Sequence, residues 1–389
     1  MFKQKKSLQV ALIALAVSQT AIADIKIGFL GTLTGPSAEV GRDQFDGFSL
    51  ALEQLGGKLG GVAASVLKED DQQKPEVALG ALTKLLEKDK VDVVTGLTFA
   101  SVFLALQNKI VATDVPFIGS VAGPSATAGP QCKRNLFVMS WNSDAPAEAM
   151  GKHLTDKGIK RISILTPNFV GGKDKVAGLK RFYKGEIVDE IYTPLNQLVF
   201  SAELTQIAAS MPDAVFSFYP GSLGVSFVRQ YQQAGLLGKI PFYSTNTIEG
   251  STVDAMGASA IGAIVADTWT PGTPNPQSKQ FVASFQKRFG RTPSAYAAFS
   301  YDAAMLLDAA VRSVNGDTAD RKALNRAIAA AQFKSVRGEF RFGNNNYPVQ
   351  NYHLFQVAKA PSGKAEFKVI AADVLKSHAD AYAAQCPSK

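Results

Sequence analysis

The 389-residue chain is short of the side chains on which most catalytic and metal sites depend. It has three histidines, His153, His353 and His378, and two cysteines, Cys132 and Cys386. No histidine stands at i, i+4 from another or beside a Cys or carboxylate cluster, so no ligand set with metal-site spacing is present. Each reads as a surface or satisfied core histidine. Two near-motifs fail at the deciding position. Gly123-Pro124-Ser125-Ala126-Thr127 has Thr127 where a nucleophile elbow needs its second glycine, and Gly172-Lys173 is followed by Asp174 where a phosphate loop needs Ser or Thr. The run Glu69-Asp70-Asp71 reads as a solvated turn before Pro75, a strand-end site being the alternative. No Lys/Arg block or basic-aromatic stripe occurs, which argues against nucleic acid as a partner. These absences predict a protein with no catalytic residue, no metal and no cofactor.

One apolar run does occur. Lys3, Lys5 and Lys6 precede Val10 to Val17, followed by Ala21-Ile22-Ala23, the three parts of a secretory signal peptide. The run is shorter than the roughly 20 residues a membrane span needs, and no later stretch is a second candidate. Residues 1–23 are therefore expected to be cleaved, a retained anchor being the alternative. Removal takes three of the 41 Lys and Arg and none of the 33 acids, so the formal charge falls from +8 to +5. In an oxidising compartment two cysteines are expected to pair. A Cys132–Cys386 disulfide would tie the C-terminal tail to the body; two free thiols are the alternative.

The rest alternates strand and helix. Ile25 to Leu30 reads as a buried strand, Phe45, Phe48, Leu52 and Leu55 as one face of a helix ended by Gly56-Gly57, then Val62 to Lys68, a helix from Pro75, and Val91 to Val94. Such alternation predicts a mostly parallel sheet covered on both faces. One unit recurs. Asp92 to Gly96, a helix from Ser101 to Ala112 and Val115 to Ile118 are matched by Asp213 to Phe216, a helix from Ser222 to Ala234 and Ile240 to Tyr243. Two similarly built lobes follow. Ligands of open parallel sheets bind outside the carboxyl ends of the strands, which sets Leu97 to Ser101 opposite Tyr219 to Ser222 across a cleft. Aromatic, hydroxyl and amide residues fill the predicted loops, including Trp141, Ser143 and Trp269, as a small-molecule site requires.

Leu33-Thr34-Gly35-Pro36 with Gly41, Glu69-Asp70-Asp71-Gln72, Ser140-Trp141-Asn142-Ser143-Asp144 and Phe289 to Tyr296 before Tyr301-Asp302-Ala303-Ala304 occur in an order that resembles the periplasmic solute-binding proteins of the leucine/isoleucine/valine-binding type. Ala122 to Ala126, Glu148 to Lys152, Gly172 to Asp174, Arg181-Phe182-Tyr183, Phe333 to Gly338 and the tail from His378 to Cys386 are similar to the branch that carries aromatic acids. The resemblance implies an α/β, type I periplasmic binding fold: two doubly wound lobes with mainly parallel sheets joined by a three-strand hinge. Crossings near Asn142, Trp269 and Gln350 then give one lobe of residues 24–142 plus 269–350 and another of 143–268 plus 351–389. It further implies a monomer in the periplasm, a small-molecule ligand and the permease subunits of an ABC importer as partners.

Carried over by position, the ligand contacts implied are Arg42, Phe99, Ala100, Ser101, Ala122, Gly123, Phe169, Gly172, Tyr219, Asn246 and Tyr296. Phe99, Phe169, Tyr219 and Tyr296 suit stacking on a planar ring. Arg42 would pair with a ligand carboxylate or else be a solvated first-turn side chain. Amino-acid-binding members place an acid where this chain has Asn246. A buried ammonium without a carboxylate costs several kcal/mol, so the expected ligand is an aromatic carboxylate lacking an α-ammonium. Val138-Met139, where relatives show Arg-Thr, departs from the pattern. A branched-chain amino acid or amide binder is the alternative within the fold, and an α/β hydrolase-like enzyme the alternative outside it.

Overall fold

The computed structural model describes residues 24–387. The cleavage site expected after Ala23 lies outside the described residues. Ile25, Ile27, Phe29 and Leu30 are buried on both faces of the first strand, β1 (Ile25–Gly31), as a central strand of a parallel sheet must be. The helix α1 (Ala38–Gln54) follows. Strands β2 (Lys58–Leu59) and β3 (Val62–Asp70) form a hairpin. Its two turn residues, Gly60 and Gly61, have φ of 58° and 89°, the conformation that favours glycine in two-residue hairpins. Pro75 opens α2 (Pro75–Thr83), where its missing N–H costs nothing. Then come β4 (Val93–Gly96), α3 (Ala100–Val111), β5 (Phe117–Gly119) and β6 (Leu136–Val138). The sheet order is β2-β3-β1-β4-β5-β6, parallel apart from β2.

A second sheet starts after α4 (Ala145–Asp156). Its strands β7 (Arg161–Pro167), β8 (Glu186–Thr193), β9 (Ala214–Ser217), β10 (Phe242–Ser244) and β11 (Ile264–Asp267) alternate with α5 (Val170–Phe182), α6 (Ser201–Ser210), α7 (Ser222–Gln233) and the short α8 (Val253–Met256). The chain then returns to the first layer through α9 (Pro276–Phe289), α10 (Ala295–Ser313) and α11 (Arg321–Ala330). Helix α10 lies against α1 so closely that a Cβ on Gly47 would meet the Ala297 carbonyl oxygen at 2.1 Å. Strands β12 (Arg341–Phe342), β13 (Pro348–Lys359) and β14 (Ala365–His378) join the second sheet antiparallel, in the order β12-β13-β11-β10-β9-β7-β8 with β14 on β13.

The repeated unit is present in both sheets, as β4-α3-β5 and β9-α7-β10. The ladders begin about two residues later than the apolar runs suggest in the first copy. Val91 and Val115 are buried but precede the β4–β5 pairing; burial sets the run, partner length sets the ladder. The chain passes between the layers after β6, after β11 and on entering β13, giving the two-lobed α/β fold.

Two features of the first lobe differ from or extend the sequence reading. Glu69-Asp70-Asp71 is no solvated turn. Buried Asp71 accepts from Thr32 Oγ1 at 2.6 Å, and Asp70 from the Leu33 amide at 2.9 Å and Thr34 Oγ1 at 2.6 Å. The strand end thus clamps the loop after β1, because buried polar groups must find partners. At the other end Cys132 is bonded to Cys386, with Cα atoms 5.7 Å apart. The tail after β14 returns across the first lobe, where Asn345 donates to Asp380 at 2.8 Å and Asn344 to the Ala383 carbonyl at 2.9 Å.

Candidate functional site

The carboxyl ends of both sheets face one another, and the loops leaving them enclose a cavity. Phe99, Ala100 and Thr98 reach it from the β4–α3 turn, Val121 and Ala122 from the loop after β5, and Trp141 and Ser143 from the first crossing. Val40 and Tyr296 come from α1 and α10. Phe169, Gly171 and Lys175 on the β7–α5 turn, Phe218 and Pro220 after β9, and Asn246 after β10 complete the opposite wall. The cavity leaves about 50 Å³ for the centres of water-sized spheres, against roughly 10–15 Å³ for a single water. Its walls are aromatic: the Phe99 and Phe169 rings lie 6.0 Å apart across the cleft and Phe169 stacks on Phe218 at 6.0 Å.

The lobes are closed on each other. The Ser125 amide donates to Asp174 Oδ2 at 3.1 Å, and Ser222 Oγ donates to the Pro36 carbonyl oxygen. Glu39 of α1 sits over Gly221, where an added Cβ would be 2.3 Å from its carboxylate. Burial pushes the Glu39 carboxyl above its ordinary value, opposed by the backbone of Ser222.

Three helices begin at this cavity. The first amide bonds inside α3, α5 and α7 are those of Phe103, Lys173 and Gly224, so the amides before them lack intrahelical acceptors. The positive ends of the three dipoles converge. A full charge joins them: Lys175, 2% exposed, has no hydrogen-bond partner for Nζ among the described residues. Its ammonium stands 5.0 Å from the Trp141 ring centre and 5.5 Å from that of Phe218. Burial pushes its pKa down, and Asp267, Asp144, Asp174 and Glu249 hold the proton on.

Six sequence-derived contacts line the cavity: Phe99, Ala100, Ala122, Phe169, Asn246 and Tyr296. Five stand elsewhere. Tyr219 is in the second lobe's core, bonded to Thr193 Oγ1 at 3.1 Å and packed on Phe200 and Phe227 at 4.9 Å each. Neighbouring residues leaving a strand point to opposite sides, so the cleft receives Phe218 instead. Gly123 and Gly172 act through close approach. A Cβ would meet the Trp141 carbonyl oxygen at 1.9 Å in the first case and the Pro167 carbonyl oxygen at 2.2 Å in the second. Ser101 is half-buried outside the lining, and Arg42 is exposed, beside Glu39 and Asp46.

The expectation that no acid accompanies Asn246 is corrected. Asn246 Nδ2 donates to Asp267 Oδ2 at 3.1 Å, and Glu249 is buried nearby. Burial drives the Glu249 carboxyl well above its ordinary value. Burial likewise raises Asp267, with the Thr268 amide and Lys175 opposing. A ligand ammonium would meet the buried Lys175 cation here.

Comparison with known proteins fits this geometry. A profile described as periplasmic binding protein matches residues 24–365. A Leu/Ile/Val-binding protein homolog 6 of Brucella melitensis is 26% identical over 372 residues, covering 91% of this chain and 94% of its own. A solute binding protein of an ABC transporter from R. palustris, solved in complex with benzoate, superposes with a TM-score of 0.88 at 30% identity, covering 94% of this chain and 100% of its own. Another from Rhodopseudomonas palustris, in complex with 3,4-dihydroxy benzoic acid, gives 0.86 at 26% identity, with 91% and 98% covered. By sequence and by architecture, this chain belongs to the periplasmic binding protein family.

Proposed function

We propose that the chain captures a small aromatic carboxylate in the periplasm and delivers it to the permease subunits of an ABC importer by hinge closure, as a monomer and without chemistry on the ligand. The observation that carries the ligand class is Lys175, a buried and unpartnered ammonium in a narrow cavity walled by Phe99, Trp141, Phe169, Phe218 and Tyr296. An ammonium held out of water needs an anion, the three helix N-termini favour one, and the flat aromatic walls suit a ring. The neighbours crystallised with benzoate and 3,4-dihydroxy benzoic acid support the same class. We assign residues 24–142 with 269–350 to one lobe and 143–268 with 351–389 to the other, the last residues strapping back over the first lobe through Cys386. Residues 1–23 direct export.

Closure follows from the contacts across the cleft, Ser125 to Asp174 and Ser222 to Pro36. A ligand touching both walls binds the closed form better and shifts the equilibrium toward it. Thermal-shift screening of the protein against aromatic acids, branched-chain amino acids, amides and short dicarboxylates tests the reading. An aromatic acid at 100 times its dissociation constant is expected to add about 2.7 kcal/mol of stability. Selective stabilisation by leucine, isoleucine or valine instead would overturn it.

A further inference from the structure

A second cavity, of about 280 Å³, opens beside the second and third crossings, and among the described residues its lining is separate from that of the first. That volume is near the roughly 300 Å³ at which small-molecule pockets begin. The wall is built from polar side chains held out of water: Thr268 is 1% exposed, Gln350 3%, Thr273 6% and Arg337 8%. Thr268 follows β11, while Gln350, Asn351 and His353 lie on β13, so the wall is part of the hinge itself.

The amide and imidazole acceptors of this wall are spent. Gln350 Oε1 takes Arg337 Nη1 at 2.9 Å, Asn351 Oδ1 the Ser377 amide at 2.7 Å and Asn275 Oδ1 the Ser278 amide at 2.7 Å. His353 Nδ1 accepts from the Asp373 amide at 3.0 Å, which leaves the proton of the neutral ring on Nε2. What remains unspent among the described residues donates: His353 Nε2, Asn351 Nδ2 and the buried Arg337 Nη2. Asp302 engages Arg337 at Nε, and Glu339, the carboxylate of the lining, is exposed. Unpaired donors are completed by an acceptor, and a guanidinium best by a charged one. We infer that this cavity is a second anion site, taking a small oxyanion such as a dicarboxylate or phosphate. Its donors converge in the closed arrangement and sit on the strands that bend, so its occupancy favours closure whatever the first cavity holds.

Calorimetry with malonate, its neutral diamide malonamide and inorganic phosphate tests this in Lys175→Met, where the first cavity has lost its own cation. Malonate or phosphate is expected to bind at one site, and malonamide about tenfold or more weakly than malonate. In the same background Asn351→Asp keeps the acceptor for the Ser377 amide and replaces the donor by a negative charge; malonate is expected to weaken about tenfold or more. Glu339→Gln, at an exposed position, is expected to tighten it about two- to fivefold. Small-angle scattering of Lys175→Met is expected to show a smaller radius of gyration when malonate saturates. No binding of either anion overturns the site, and so does binding that Asn351→Asp leaves unchanged. Equal affinity for malonamide overturns its anionic character, and an unchanged radius of gyration overturns its coupling to closure.

Discussion

Lys175 holds two opposed consequences in one side chain. Its ammonium is buried without a hydrogen bond, a penalty on the unliganded closed form that a bound anion relieves. Lys175→Met keeps the length and removes the charge. Its removal takes a counter-charge from buried Asp267, so no gain in stability is expected, while affinity for an aromatic carboxylate falls by about 30-fold or more in calorimetry. A purely structural lysine would leave that affinity unchanged. The residue was within reach of sequence reasoning. Gly171, Gly172, Lys175, Val176, Gly178 and Leu179 form the buried face of α5, and the 3.6-residue period puts a lysine among them. Tyr219 shows the converse: position in the family pattern located the loop, but which of two adjacent aromatics turns into the cleft depends on strand phase, which a shift of one residue inverts.

At the scale of elements, α5 is the part of the second lobe that grips the first. Asp174, just past its first turn, accepts from the Ser125 amide at 3.1 Å. Burial, reinforced by nearby Asp144 and opposed by the Ser125 bond and by Lys175, pushes its carboxyl up to about 6 from an ordinary value of 3.8. The sign follows from linkage. Closure raises this pKa, so the ionised carboxylate disfavours the closed form; the penalty is absent below the open-state pKa and complete above the closed-state one. Ligand affinity is therefore expected to tighten as pH falls from 7 to 5, by at most about tenfold, and Asp174→Asn to flatten that part of the profile. Calorimetry at pH 5, 6 and 7 on both proteins checks it; affinity that weakens on acidification would reverse the assignment. The elements themselves were largely legible, because β1, α1, β3 and the repeated β4-α3-β5 and β9-α7-β10 units carry clear apolar periods. What sequence could not supply was their partnering across distance: that Asp70 and Asp71 reach back to the loop after β1, or that Glu249 and Asp267 lie behind Asn246. Such contacts belong to the folded arrangement and leave no mark in local spacing.

For the whole molecule, the question is what moves when the lobes close and what stays fixed. Arg337 ties the crossings together from a fully buried position: its Nε donates to Asp302 Oδ2 at 3.0 Å, and Nη1 to the Met139 carbonyl oxygen at 2.5 Å and to Gln350 Oε1 at 2.9 Å. It sits between the Phe299 and Phe340 rings, so the middle of the hinge is packed and internally bonded, and opening must be taken up at its margins. The two tryptophans report on different sides of that boundary. Trp269 is fully buried, its Nε1 donating to Ser278 Oγ at 2.8 Å and its ring on Phe281, an environment made within the body that α9 joins. Trp141 lines the cavity, edge-on to Phe299 and beneath the Lys175 ammonium, and opening takes Lys175 and water exposure with it. Sequence position alone puts both at crossings and predicts that both respond; the packing assigns the response to Trp141. Ligand-induced fluorescence change is thus expected to persist in Trp269→Phe and to vanish in Trp141→Phe, with calorimetry confirming that each variant still binds. A signal that follows Trp269 instead would mean that closure rearranges the α9 contact, and that the hinge bends through its core rather than around Arg337.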